Sequence, residues 1–511
     1  MSSDREERRR GRRARRELAA SVTITMKPIT YSVPIYELLD AEGLERLHQA
    51  SMRILSEFGI DFYDEEVRDV LKAHRVELRG DTAYFDPALI ADYVAKAPRQ
   101  FTQLARNPER NLAIGGNQVV FAPVYGPPFV LDLERGRREA TLVDFQNFVK
   151  LAYLSPYIHH SGGTIVEPTD EPIRTRHMDM VFSHIKYSDK AFMGSVTSGD
   201  NAADSVAMAE ILFGAQAIRR QPALLSLINV SSPRRFDDRM LGALKVYARA
   251  RQALIITPFI LAGAMGPASI AGTLAQQNAE ALAGIALTQM IEPGTPVIYG
   301  SFLTNVDLQS GSPVFGSPES QIGLYVSAQL ARRYGLPFRG GGAFSSSKVP
   351  DAQAAYESMM VMLPTVMART NFVLHAAGWL ESGLVAGYEK FVLDCEILGM
   401  LHTWARGLDL SDEGLAFDAM AEVSPGGHYL GTAHTMRHFM DAFYRAEVFD
   451  YQAAEMWEKK GSEDSYTRAH KKVVQLLDSY QPPDLDPGVE DALAEFMARR
   501  KAEIALTPGD F

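Results

Sequence analysis

The chain has 511 residues, 46% of them hydrophobic and 23% charged, with a single cysteine and a formal net charge of −11. A lone Cys395 excludes an intrachain disulfide framework and points to a reducing, cytoplasmic compartment. Net acidity argues against a nucleic-acid binder, and no uninterrupted apolar run reaches the roughly 18 residues of a membrane span.

Residues 1–30 read as a disordered basic tail. MSSDREERRRGRRARRELA carries eight arginines and four acids; the acids do not suit a transit peptide, and no apolar signal core follows. Residues 31–115 read as a small helical cap. Asp40 is placed to N-cap a helix with apolar positions Leu44, Leu47, Met52, Leu55 and Phe58, and Gly59 ends it. In FDPALIADYVAKAP, Asp86 caps a second helix, Pro87 takes its first position and Pro98 closes it.

Over residues 116–410 short apolar runs alternate with helical patterns. Eight runs stand out: Val119–Ala122, Ile158–Val166, Ala191–Val196, Ala223–Val230, Ala253–Ile260, Pro296–Ser301, Leu336–Gly341 and Asn371–Gly378. Runs apolar on both faces suit a parallel sheet covered by crossover helices, and eight of them predict an α/β fold of the (β/α)8 TIM-barrel type. A long helix should follow Gly266-Pro267. Another starts where Ser317 N-caps Pro318 and Glu319, runs through Ile322, Val326, Ala328 and Leu330, and stops at Gly335. Cys395 falls in the apolar pattern FVLDCEILGML and reads as a buried small hydrophobe. Residues 411–511 read as a C-terminal helical extension, with one long helical stretch around Glu447–Ser479.

In such a barrel the chemistry sits at the C-terminal strand ends and the loops after them. There the sequence places aromatic residues: Tyr125, Phe129, Tyr299, Phe302, Phe344 and Trp379. Aromatic faces attract a quaternary ammonium by about 0.5–2 kcal/mol per ring, although each ring alone fits core or rim packing better. Of the adjacent His159 and His160 in a strand, only one can face the interior, and His160 is the candidate. Glycine-rich loops at these ends match neither phosphate-binding fingerprint. His428, His434 and His438 offer a zinc-like set, with the last two at i, i+4, but the HExxH base is missing. No GxSxG elbow supports acyl transfer.

The segments GSPESQIGLYVSAQLARRYGLPFRGGG, SSSKVPDAQAAYES, SPGGHYLGTAHTMRHF and YQAAEMWEKKG, with the earlier SMRILSEFGIDF and ARNPERNLAIGG, resemble the trimethylamine methyltransferase family of corrinoid-dependent enzymes over residues 36–480. The resemblance implies a methylated amine bound at the strand ends. It implies transfer of a methyl group to Co(I) cobalamin carried by a partner corrinoid protein, no tightly bound cofactor, and compatibility with a homo-oligomer. Family members acting on trimethylamine carry pyrrolysine in the barrel; this chain has ordinary residues throughout, with the corresponding region expected near Phe344–Asp351. A quaternary amine already leaves as a neutral tertiary amine and needs no such activation, so a betaine or carnitine is the expected donor, with a tertiary methylamine as the alternative. Arg339 or Lys348 would then bind the carboxylate, and Asp307 or Glu319 would face the cation. A metal-dependent lyase or hydrolase using the three histidines, and a non-catalytic quaternary-ammonium binder, are the competing readings.

Overall fold

The computed structural model describes residues 26–506; the arginine-rich stretch before them lies outside the described residues. Seven parallel strands carry the architecture: β1 (Val120–Phe121), β2 (Phe192–Met193), β3 (Leu224–Val230), β4 (Ala253–Ala262), β5 (Val297–Gly300), β6 (Phe338–Arg339) and β7 (Phe372–Val373). They lie side by side in the order β2-β3-β4-β5-β6-β7-β1. The register runs Leu225↔Ala253, Ile255↔Ile298, Gly300↔Arg339, Arg339↔Phe372 and Phe372↔Val120.

The run Ile158–Val166, expected as a strand, is irregular. It still hydrogen-bonds on both sides: His159 N donates to Phe121 O at 2.9 Å, Ser161 N to Ala191 O at 2.8 Å, and Met193 N to Gly162 O at 2.8 Å. Gly162 breaks the regular pattern, with φ 100° and its Cα packed against Pro123, where a Cβ would lie 2.7 Å from the ring.

Alternate residues along the strands part into two cores, as the period of two demands. Val120, Met193, Leu225, Ile255, Ile298 and Phe372 pack together on one side of the sheet. Phe121, Leu224, Ile256, Val297 and Tyr299 join the larger core beneath the helices. The helix Ile270–Ile291 is buried on every side from Thr273 to Met290, because the N-terminal region lies over it; Asn278 Nδ2 donates to Ser51 Oγ at 2.8 Å. That region contains the expected helix Ala41–Arg53, with Asp40 accepting from Gly43 N, and the helix Pro87–Val94 capped by Asp86. It also holds an antiparallel sheet of Ile60–Phe62, Thr82–Tyr84 and Glu77–Arg79, whose three-residue strands are too short to show a period.

The single helical stretch expected around Glu447–Ser479 is divided into Ala454–Lys459 and Ser465–Ser479, parted by Gly461 at φ 102°. A further helix spans Pro487–Leu506. Residues 408–457 are mostly exposed; Ala419, Thr432 and Val448 are their buried members. No helix among the described residues is long and apolar enough to cross a membrane.

Candidate active site at the strand ends

Beyond the C-terminal ends of the parallel strands the chain builds a wall of rings. Phe302 follows β5 directly. Phe315 arrives through the antiparallel pairing of Phe302–Val306 with Pro313–Val314. Phe344 follows the glycines after β6, and His375 and Trp379 follow β7. The Phe302 centroid lies 5.2 Å from Phe344, 5.5 Å from His375 and 5.9 Å from Trp379. Trp379 lies 4.5 Å from His375, 5.1 Å from Phe344 and 5.2 Å from Phe315. Tyr125 borders the group, 6.5 Å from His375. Trp379 belongs to a second sheet, in which Trp379–Leu380, Val385–Gly387, Phe129–Asp132 and Gly136–Glu139 pair in that order. Phe129 thus lies beyond the intervening strand Val385–Gly387 and packs in a separate small cluster.

Arg339 enters this wall from β6. Its side chain is buried, with the guanidinium 5.1 Å from the Phe302 centroid. Nη1 donates to Ser301 O at 3.0 Å, Nε is buried without a hydrogen-bond partner, and among the described residues no carboxylate pairs with it. Burial without a counter-ion pulls its pKa down to about 9. A buried cation that lacks a partner is costly, and an anion brought against it would lower that cost. Trp379 Nε1 is likewise buried without an acceptor.

His375 packs on the same rings, stacked 5.5 Å from Phe302, and lies within reach of the Arg339 charge. Tyr125 N donates to its Nδ1 at 3.1 Å, which leaves Nε2 as the protonated nitrogen of the neutral ring. Burial, then the charge of Arg339, holds its pKa well below the usual histidine value. Its φ of 69° is rare for a residue with a side chain and is the kind of strain that collects at functional sites. Close packing below demands glycine: at Gly300 a Cβ would fall 1.9 Å from Thr257 Oγ1, and at Gly341 2.0 Å from Thr365 Oγ1.

Of the residues the sequence singles out, Tyr125, Phe302, Arg339, Phe344 and Trp379 come together. His160 lies deeper on the same side, its ring 5.3 Å from Phe372, with Nδ1 accepting from Gly162 N at 2.9 Å; His159 points to the opposite side, onto Phe121 and His402. Three candidates are corrected. Tyr299 faces the helices, because neighbours along a strand alternate sides: its hydroxyl accepts from Gln277 Nε2 and donates to Asn278 Oδ1, both at 3.0 Å. Asp307 closes an exposed turn, accepting from Gln309 N and Ser310 Oγ. Lys348 is exposed, and its Nζ donates to Ser346 O. Glu319 stands in the first turn of the helix Pro318–Arg333, and Asp351 caps the helix Ala352–Met367.

Sequence reasoning did not single out Phe315, which has no strand-end signal; His375 falls in the strand-end stretch His375–Trp379 that the barrel rule picks out, where only Trp379 drew a role from its residue type. The histidine set is also revised. His434 and His438 gather with Glu413, not His428, and Arg437 Nη2 donates to the same Glu413 oxygen at 2.8 Å. Cys395 is no activated thiol, because burial pushes its pKa up to about 12.

Comparison with known proteins shows the family. The family model for trimethylamine methyltransferase matches residues 6–505. A glycine betaine methyltransferase of Desulfitobacterium hafniense (strain Y51) is 46% identical over 473 residues, covering 92% of this chain and 98% of its own length. A proline betaine:corrinoid methyltransferase of Eubacterium limosum is 30% identical over 475 residues, 90% of this chain and 96% of its own. The crystal structure of the Methanosarcina barkeri monomethylamine methyltransferase aligns with 88% of this chain and 96% of its own at a TM-score of 0.47 and 10% identity. The chain belongs to the trimethylamine methyltransferase family.

Proposed function

We propose that this protein is a methyltransferase that takes a methyl group from glycine betaine or a closely related betaine and passes it to the cobalamin of a partner corrinoid protein. The observation that carries the reading is Arg339: a buried guanidinium without a carboxylate, set against a wall of aromatic rings. A betaine supplies both missing halves, a carboxylate for the guanidinium and a quaternary ammonium for the rings.

Cobalamin in its Co(I) state, carried by the partner, supplies the nucleophile when docked. The work of this chain is binding, orientation and exclusion of water. Arg339 holds the carboxylate, Trp379 Nε1–H and the neutral His375 Nε2–H are further donors beside it, and Phe302, Phe344 and Trp379 face the ammonium. The departing amine leaves neutral, so no residue has to deliver a proton. The strand-end loops give a partner room to dock: Leu308, Val349 and Leu384 are exposed on them. Two of the loops are tied together, Glu381 N donating to Ser347 O at 2.8 Å and Ser382 N to Ser345 O at 3.0 Å. At Gly126, beside Tyr125, a Cβ would meet nothing within 4 Å.

We read the seven parallel strands and the segment 158–163 as the eight staves of a (β/α)8 barrel, with the hydrogen bonds on both sides of that segment as the support. The test of function is direct. Purified protein, its corrinoid partner reduced to Co(I) and glycine betaine are mixed, and the absorbance of methylcobalamin is followed. Rapid formation is expected with glycine betaine and little with trimethylamine; no change with any quaternary amine overturns the reading.

A further inference from the structure

Below the ring wall two opposite charges are buried side by side. Lys390 and Asp394 stand one turn apart on the helix Tyr388–Ala405, their side chains 3% and 1% exposed. Lys390 Nζ lies 2.5 and 2.6 Å from the two Asp394 oxygens. It also donates to Ser358 Oγ at 2.9 Å and to Ala343 O at 3.3 Å. Asp394 Oδ2 accepts from Gly378 N at 2.8 Å.

The two backbone partners matter by their place in the chain. Ala343 immediately precedes Phe344, and Gly378 immediately precedes Trp379. A further bond, Ala343 N to His375 O at 2.8 Å, closes the link between the two loops. The ion pair therefore fixes the backbone immediately before two rings whose centroids stand 5.1 Å apart.

A buried ion pair is a weak means of stabilising a fold, because desolvation cancels most of its attraction and an apolar replacement of similar volume often serves as well. Removing one partner, by contrast, strands a buried charge. Stability alone thus does not account for this pair. We propose that Lys390 and Asp394 are positioning residues that set the spacing of the Phe344 and Trp379 rings for a quaternary ammonium. The inference rests on the proposed betaine reading of those rings. Neither residue touches the ligand; both act through the loops they hold.

The test compares Lys390→Met, Asp394→Asn and the double variant Lys390→Met/Asp394→Leu, in a background where Trp404 and Trp457 are replaced by Phe so that emission reports Trp379. Melting temperature, KM and kcat for glycine betaine, and the emission change on titration with glycine betaine are read. The double variant removes both charges together, so it should melt well above the single variants, lowered from the parent by the Gly378 amide it leaves without an acceptor. Its KM should rise about 10-fold with a smaller change in kcat, and its emission response should weaken, since small displacements of positioning groups are costly. A double variant with parental KM and emission response overturns the inference. If the double variant does not fold, Ser358→Ala decides: a KM raised about 2- to 5-fold at unchanged melting temperature supports the proposal, and an unchanged KM overturns it. A parent protein inactive on glycine betaine would instead overturn the functional reading.

Discussion

The guanidinium of Arg339 lies 5.1 Å from the centre of the Phe302 ring, buried and with no carboxylate to neutralise it. A cation in that position needs a visiting anion, and the rings beside it suit a visiting cation. A zwitterion with both charges on one short frame satisfies the two at once.

Replacing Arg339 by Gln should therefore raise the KM for glycine betaine about 10- to 100-fold, the loss of one charged hydrogen-bonded contact of about 1.5–3 kcal/mol. Lysine should restore part of it, since it brings the charge without the planar fork. Binding of tetramethylammonium, which has no carboxylate, should barely change. Equal losses for both ligands in a titration by calorimetry would show that Arg339 has a general structural role.

Phe302→Leu, Phe344→Leu and Trp379→Leu should each weaken betaine binding by about 0.5–2 kcal/mol, roughly 2- to 30-fold in KM. The neutral isostere 3,3-dimethylbutyrate keeps the carboxylate and shape without the positive charge. As an inhibitor it should respond less to these changes than betaine does; an equal response would assign the rings to shape alone.

Tyr299→Phe should behave differently. Its hydroxyl bonds Gln277 and Asn278 on the buried helix Ile270–Ile291, and Asn278 in turn holds Ser51 and Tyr334. Losing the hydroxyl leaves a buried amide short of a partner and should cost about 1–3 kcal/mol of stability. KM for betaine should stay unchanged. A shifted KM at parental stability would return Tyr299 to the site.

His470 links the helix Ser465–Ser479 to the buried carboxylate of Glu389 at 2.7 Å and to Glu134 at 3.3 Å. Partial burial disfavours its proton, but hydrogen bonds to the two carboxylates outweigh that and raise its pKa above the usual 6.5. The link is then fully present below pH 6.5 and fades as pH climbs through the raised value. Hydrogen-exchange protection factors over Ser465–Ser479 should be higher at pH 6 than at pH 8.5, and His470→Gln should flatten the difference. A pH-independent profile in the parent would contradict this.

The exposed stretch 408–457 offers Leu430 at 77% and Phe443 at 86% exposure, with Phe417, Phe439 and Met440 also exposed. Large apolar side chains exposed together on one segment mark an interaction surface. It is anchored by Tyr444 and by the amides of Glu447 and Val448 on Glu396, and it flanks a groove of about 890 Å3 shared with Lys27, Gly399 and His402. Gly399 and His402 belong to the far end of the helix whose near end carries Lys390, so a corrinoid protein docked at the rings would leave this face free. A second copy of the chain is the occupant we expect. Light scattering should give a multiple of the chain mass, and Leu430→Asp/Phe443→Asp should return a monomer; a monomeric parent would contradict it.

Much of this was legible in the sequence because its causes are local. Asp40, Asp86 and Ser317 cap helices in the structure as their side-chain chemistry dictates. Seven of the eight apolar runs contain parallel strands, since a strand buried on both faces cannot hide its composition. The aromatic candidates came from one rule, that side chains at strand ends face the site. That rule failed for Tyr299, which lies one residue too deep and on the other side, and it could not reach Phe315, brought in by a hairpin. The ion pair Lys390–Asp394 was invisible as well. An i, i+4 Lys–Asp pair normally lies on a solvated face, and burial is set by the loops that close over it.

The most direct measurement is a crystal structure of the protein with glycine betaine bound. The account predicts the carboxylate on the Arg339 guanidinium and the trimethylammonium group against Phe302, Phe344 and Trp379. A ligand seated elsewhere, or one whose carboxylate turns away from Arg339, would contradict it.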